Sequence, residues 1–237
     1  MNSDVLPIRS PDELARADSI VSLLQQIDEE AMRAAYEELS TMTFIRHERT
    51  EQLDADGGRI AYQERRIHHE PGGIRIVELE SAGDFDFGYA RRFLGRSDEG
   101  DLSSNLPDYV FPEDPAYAQQ RSMEAYDYEV RDTTLNGRSV FVVSVRALPG
   151  VGDRQSIRGA QVFVDPSGNR LVGIRIDRRD AALWFREETS LFMSVRELPS
   201  GAWLPHETRF ETLIHLPFRP VQRFRSVTSY SGFKRAA

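Results

Sequence analysis

The hydrophobic period of this chain changes once, and that change limits the fold more than any other feature. From Ser10 to about residue 40 the apolar side chains return at steps of three and four, and beyond it they return at every second position. The first spacing lays a stripe along a helix, and the second lays apolar residues on one face of a strand. The helical part reads "SPDELARADSIVSLLQQIDEEAMRAAYEEL", with Ser10 as N-cap, Pro11 as first helical residue and Glu13 as capping-box partner. Leu14, Ala17, Val21, Leu24, Ile27, Ala31, Ala34 and Leu39 form its stripe opposite a charged face, with a break expected near Asp28. Such a helix must lie on something apolar.

The period-two part is cut by turn signals at Asp54 to Gly58, Glu70 to Gly73, Asn136-Gly137, Pro149 to Gly152, Asp165 to Asn169 and Pro199 to Gly201. Between them lie runs such as "MTFIRHERTEQL", "RIAYQERRIHH", "GIRIVELE", "YDYEVRDT", "RSVFVVSVRAL" and "ETRFETLIH". Many alternate: Tyr128 and Val130 against Glu129 and Arg131, Phe210 and Ile214 against Arg209 and Glu211. The pattern predicts antiparallel strands with one covered and one wet face, with Phe44, Tyr128, Val130, Phe210 and Ile214 on the covered one. A meander of this many strands curls toward a barrel, because sheets twist and open edges invite association. Two stretches interrupt it. Asp84 to Gln120 holds Pro107, Pro112 and Pro115 with Gly88, Gly95 and Gly100, and predicts a long, mostly irregular excursion. "RRDAALWFREETS" carries Leu183, Trp184 and Phe185 together and predicts a short helix or bend.

At 237 residues the chain is long enough for a full core without a metal or disulfide. A formal charge of −8 argues against a nucleic-acid partner, since phosphates must be met by a positive field. No run reaches the length of a membrane-spanning helix, and no signal-peptide core is visible. The polar Asn-Ser-Asp after Met1 fits a start that stands in place of a removed signal. The absence of cysteine excludes thiol catalysis and thiolate metal sites. Lys234 is the sole lysine among 30 basic residues, a bias that reads as coding preference or as arginine recognition of acidic groups.

Catalytic patterns do not appear. There is no Gly-x-Ser-x-Gly elbow, "VGDRQS" lacks the third glycine of a dinucleotide loop, and His206-Glu207 has no histidine at zincin spacing. His68 and His69, adjacent on a strand, point to opposite faces and cannot chelate one ion together, and His47 adds no third ligand. Arg65-Arg66, alternating with Glu64 and Glu70, reads as cross-strand ion pairing on a wet sheet, with a phosphate or headgroup site as the alternative. The expectation is therefore a protein that is not an enzyme and has no cofactor or metal. The aromatics, 13 Phe, 8 Tyr and 2 Trp, read as core or as the lining of a ligand pocket.

Three segments carry a resemblance: "YDYEVRDTTLNGRSVFVVSVRA" from Tyr126, "IRGAQVFVDPSGNRLVGIRID" from Ile157 and "GAWLPHETRFET" from Gly201. A tyrosine-flanked strand, an Asn-Gly turn, a Gly-x-x-x-Val-Asp hairpin and a Trp-Leu-Pro strand start follow in that order. The arrangement resembles the LolA/LolB-like periplasmic lipoprotein-carrier superfamily, over roughly residues 12 to 232. The Pro-rich excursion departs from its simplest members.

The resemblance implies an α+β, mainly β fold. A single antiparallel meander would form a half-open barrel, with the N-terminal amphipathic helix and helical loop segments covering its concave face. Residues 1–237 would form one LolA-like domain: helix 10–40, first strands 42–80, excursion 84–120 and second half of the sheet 126–232. The concave face would be lined by Phe44, Tyr62, Ile76, Tyr128, Val162, Val164, Ile174, Ile176, Trp184, Phe210 and Ile214, with the Trp184 segment gating access and its flanking arginines meeting an acidic headgroup. The implied function is a non-enzymatic carrier of lipid, acylated protein or another apolar ligand, periplasmic or exported, with an envelope protein as a further partner. The alternatives are an interaction module whose barrel its own helices fill, and an unrecognised hydrolase.

Overall fold

The computed structural model describes residues 10–70, 73–86, 115–150, 154–182 and 185–235. The first helix, α1 (Pro11–Leu24), begins as its sequence dictates: the Ser10 hydroxyl accepts from the Glu13 amide, and Glu13 Oε2 accepts from the Ser10 amide at 2.7 Å. Such a cap contributes about 1 kcal/mol. A second helix, α2 (Glu30–Glu37), follows a break around Asp28, whose carboxylate accepts from the Glu30 amide at 3.1 Å. The break is pinned from outside. Asp28 exchanges backbone hydrogen bonds with Asn169 and Leu171, and Asn169 Nδ2 donates to the Gln26 carbonyl at 2.7 Å. It also shifts the helical phase. After Ala17, Ile20, Val21 and Leu24 the buried residues are Met32, Ala35, Tyr36 and Leu39, so the expected stripe does not continue through Ala31 and Ala34.

Ten strands form one antiparallel sheet: β1 (Met42–Leu53), β2 (Arg59–Glu70), β3 (Gly73–Ala82), β4 (Tyr126–Leu135), β5 (Arg138–Ala147), β6 (Ile157–Asp165), β7 (Arg170–Ala182), β8 (Phe185–Glu197), β9 (Trp203–His215) and β10 (Gln222–Arg235). The order is β3-β2-β1-β10-β9-β8-β7-β6-β5-β4. Every neighbouring pair is consecutive in the chain except β1 with β10. The sheet is not closed: β3 and β4, which follow one another in sequence, are its two edges. A barrel of this order is open at one seam, and the long excursion leads from one lip to the other. Of that excursion, residues 87–114 lie outside the described residues; its later part forms 3-10 turns at Ala116–Ala118 and Gln120–Ala125.

Turn chemistry sets the hairpins. Asn136 and Gly137 both have positive φ, 52° and 79°, as the two-residue loop between β4 and β5 requires. The Asp54 carboxylate accepts from the amides of Asp56 and Gly58 and closes the β1–β2 turn. The segment holding Trp184 differs from the expectation of a short helix or bend. Strands β7 and β8 pair up to Ala182 opposite Phe185, because alternation on both sides extends the ladder to that point; Leu183 and Trp184 themselves lie outside the described residues.

Burial identifies the inner face. Val162, Val164, Ile174, Ile176, Leu191, Met193 and Ile214 are buried in one apolar cluster together with the buried residues of α1 and α2. Each such side chain contributes about 1.5–3 kcal/mol. Val130 points the same way, opposite Val143, yet is exposed, because β4 is an edge strand with no further strand beside it among the described residues.

Candidate functional site

Strand parity converts the register into a map of the inner face. One row across it reads Arg65, Glu48, Thr228, Thr208, Met193, Ile174, Val162, Val143 and Val130, from β2 to β4. The next reads Gln63, Thr50, Ser226, Phe210, Leu191, Ile176, Ala160, Val145 and Tyr128. Both rows change character at β9. In these two rows the inner face is apolar over β4–β8 and polar over β2, β1 and β10; beyond them Glu187 and Thr189 are buried on β8, and Phe44, Ile67, Phe224 and Tyr230 are buried on β1, β2 and β10.

The polar half is as buried as the apolar half. Arg46, Glu48, Thr50, Gln52, Gln222, Ser226 and Thr228 are all buried, Arg46 and Glu48 to 3% exposure. Arg65 Nη2 lies 2.7 Å from Glu48 Oε1 and Arg46 Nη2 lies 3.6 Å from Glu48 Oε2, so one carboxylate sits between two guanidinium groups. Thr50 Oγ1 is 3.4 Å from Glu48 Oε1 and 3.2 Å from Ser226 Oγ. Gln52 and Gln222 reach the start of the excursion: Gln52 Oε1 accepts from the Asp86 amide at 2.8 Å, and Gln222 Nε2 points at Asp86 O and Oδ2 at 3.4 Å. On the border, the Tyr36 hydroxyl lies 3.3 Å from Thr208 Oγ1, and burial pushes its pKa well above the phenolic value.

The anticipated lining residues separate accordingly. Phe44, Tyr128, Val162, Val164, Ile174, Ile176, Phe210 and Ile214 are buried in the apolar cluster. Ile76 is on the same face, opposite Ile67, but on edge strand β3 it is 41% exposed. Tyr62 is a correction. It stands opposite Glu51 on the outer face, with the guanidinium of Arg59 4.7 Å from its ring. Trp184 lies outside the described residues. Arg65 is a second correction, since it points inward to Glu48 rather than onto a wet face. The polar half itself was legible: Arg46, Glu48, Thr50 and Gln52 share the parity of Phe44 in "MTFIRHERTEQL".

The outer face is charged and paired. A groove of about 700 Å³ there is lined by Phe163, Phe192, Arg175, Arg209, Glu211 and Arg225 among others. Its cations meet acids on the same face, as in Arg209–Glu207 at 2.5 Å and Arg225–Glu211 at 3.9 Å. The arginines flanking Trp184 also pair locally, Arg178 with Asp180 and Arg186 with Glu188. His47 meets Glu64 at 2.9 Å and His69 stacks on Phe44 at 4.2 Å, which puts these two histidines on opposite faces. Among the described residues no three His, Asp or Glu side chains gather as metal ligands, and no helix is long and apolar enough to cross a membrane.

No protein-family profile and no curated protein matches the chain. Solved structures do. An outer membrane lipoprotein-sorting protein domain from Vibrio parahaemolyticus aligns at 12% identity over 92% of this chain and 93% of its own, with a TM-score of 0.30. A LolA superfamily protein from Nitrosomonas europaea aligns at 9% identity over 93% and 94%, with a TM-score of 0.23. The chain is similar to LolA-superfamily structures. A DUF1329 family protein from Desulfovibrio piger aligns at 9% identity over 94% and 93%, with a TM-score of 0.31.

Proposed function

We propose that this protein is a non-enzymatic carrier that takes the acyl chain of a lipid or of an acylated protein into an unclosed, LolA-like barrel. The single observation that carries this reading is the seam. Ile74 and Ile76 on β3 are 45% and 41% exposed and Val130 on β4 is 37% exposed, all on the inner face. Apolar side chains left exposed at the two edges of an otherwise buried face mark places where an apolar guest can enter. In this reading residues 1–237 act as one domain. Helices α1 and α2 cover the concave side, and Phe44, Tyr128, Val162, Val164, Ile174, Ile176, Phe210 and Ile214 form the wall against which the guest lies. The working place is the cell envelope, after export, with an envelope protein as donor or acceptor of the cargo.

A second reading has its own support. Ile174, Ile176, Leu191 and Ile214 are at most 1% exposed, packed in one cluster with the helices. A permanently filled barrel would serve as an interaction module. Titration with a fluorescent fatty acid separates the two. The carrier binds saturably with a dissociation constant of about 1 μM. Ile76→Asp and Val130→Asp, at exposed positions that leave the fold intact, weaken that binding. A folded protein that shows no saturable binding, and no lipid by native mass spectrometry, is the interaction module instead. Fractionation of the native host, with sequencing of the mature N-terminus, tests export.

A further inference from the structure

The two edges of the sheet are built differently. Strand β3 carries a bulge, since Glu64 stands opposite Glu80 while Arg65 stands opposite Glu78. Bulges and charges at an edge keep other strands from adding to it. Strand β4 has no such break: Tyr126 to Leu135 pair with β5 residue for residue. Its middle is open to solvent, with Glu129, Val130, Arg131 and Asp132 all exposed. Elsewhere on the sheet, arginine and glutamate two residues apart on one strand close an ion pair, as Arg49–Glu51, Arg186–Glu188 and Arg209–Glu207 do. Glu129 and Arg131 have the same spacing, yet neither side chain has an ion pair or hydrogen bond among the described residues. The ladder also fixes the direction of the backbone groups. A two-residue loop is closed by a doubly hydrogen-bonded pair, here Leu135 and Arg138, and bonding then alternates along the strand. The N–H and C=O groups of Val130 and Asp132 therefore turn away from β5.

We propose that two copies of this chain join edge to edge, β4 pairing antiparallel with β4 of a second copy about a two-fold axis at Val130. In that register Val130 faces its own counterpart, and Glu129 of each copy faces Arg131 of the other. The outward backbone groups meet, and both inner faces stay on one side of the joined sheet. Moving the axis by one residue sets Glu129 against Glu129 or Arg131 against Arg131, so the charges select this register. The β3 lip, with Ile74 and Ile76, stays open. The join thus goes beyond the carrier reading and does not depend on it.

Sedimentation equilibrium of the wild-type protein, up to about 100 μM, is expected to show a monomer–dimer equilibrium that weakens with salt. Glu129→Arg and Arg131→Glu each turn two attractions into repulsions and should weaken the dimer at least about tenfold. Both positions are exposed, so the fold is kept. An equimolar mixture of the two variants should regain association as a heterodimer, and the double variant Glu129→Arg, Arg131→Glu should dimerise by itself. Arg75→Glu on β3 should change nothing. A wild type that stays monomeric, or a dimer indifferent to both reversals, overturns the inference. So do single variants whose mixture stays monomeric. Association lost with Arg75→Glu overturns it too, since that would place β3 of one copy on β4 of the next.

Discussion

Removing the carboxylate at the centre of the buried ionic group, by Glu48→Leu, separates a stabilising role from a functional one. Glu48 is 3% exposed and its side chain lies between Arg46 and Arg65, whose side chains are 4% and 13% exposed. With all three groups this far from solvent, screening does little to soften the change. The variant leaves two buried guanidinium groups without their carboxylate, a loss of about 3–5 kcal/mol. For a domain of this size each kcal/mol moves the melting temperature by about 2–4 °C, so the shift is on the order of 10 °C. The triple variant Arg46→Met, Glu48→Leu, Arg65→Met removes the ions together. It should match the wild type or exceed it by about 1–4 kcal/mol, because the desolvation penalty disappears along with the attraction. Urea unfolding of wild type, single and triple variants reads all three values directly. A triple variant as unstable as Glu48→Leu refutes the reasoning, since it would mean that the ions hold the sheet together rather than burden it.

Other positions give sharper local tests. Gly83, at the end of β3, has φ of +72°, and a Cβ there would collide with the Ile60 carbonyl oxygen; Gly83→Ala should lower stability by roughly 1–3 kcal/mol in urea unfolding. Asn169 holds φ of 51° and its amide donates to the Gln26 carbonyl; Asn169→Ala should lose roughly 1–2 kcal/mol, and Asn169→Gly, which keeps the backbone relaxed, measurably less. Leu191 is fully buried, so Leu191→Ala should lose about 2–5 kcal/mol, whereas Ile76→Ala at the seam should stay within about 0.5 kcal/mol. Burial and the nearby Arg196 hold His206 below its ordinary pKa of 6.5. The unfolded chain therefore takes up the proton first, and stability falls as pH drops through 6.5 toward the folded pKa. The melting temperature of His206→Gln should fall less than that of the wild type between about pH 7.5 and pH 5.5.

Local patterns proved readable where one neighbour decides the outcome. Ser10 and Glu13 cap α1 because a capping box involves only the residues it names. The Asn136-Gly137 hairpin follows from two positive φ angles that few other residues accept. Features set by distant partners were not readable in the same way. The phase of α2 depends on Asp28 being held by Asn169 and Leu171, far along the chain. The face of Tyr62 depends on one extra residue between the pairs Gln52–Ala61 and Leu53–Arg59, since such a bulge inverts every side chain counted from the turn. The polar half of the inner face is a different case. Parity places Arg46, Glu48, Thr50 and Gln52 beside Phe44, but charged alternation usually signals solvent. The pairing of β1 with β10, which moves β1 into the middle of the sheet, is long-range.

The division of the inner face fits its place beside an open seam. Eight strands already enclose a space that side chains fill, and ten enclose more. Helices of 14 and 8 residues are only about 21 Å and 12 Å long, and the residues they bury share one cluster with both halves, Tyr36 of α2 meeting Tyr230 of β10 edge-on. A purely apolar surface over β2, β1 and β10 would lie next to an open seam. Such a surface invites edge-to-edge association. Charged and hydroxyl side chains there discourage that association, while Ile74, Ile76 and Val130 stay exposed at the lips. The same open seam thus accounts for both the polar half and the apolar lips, which a closed barrel with a uniform core would not need.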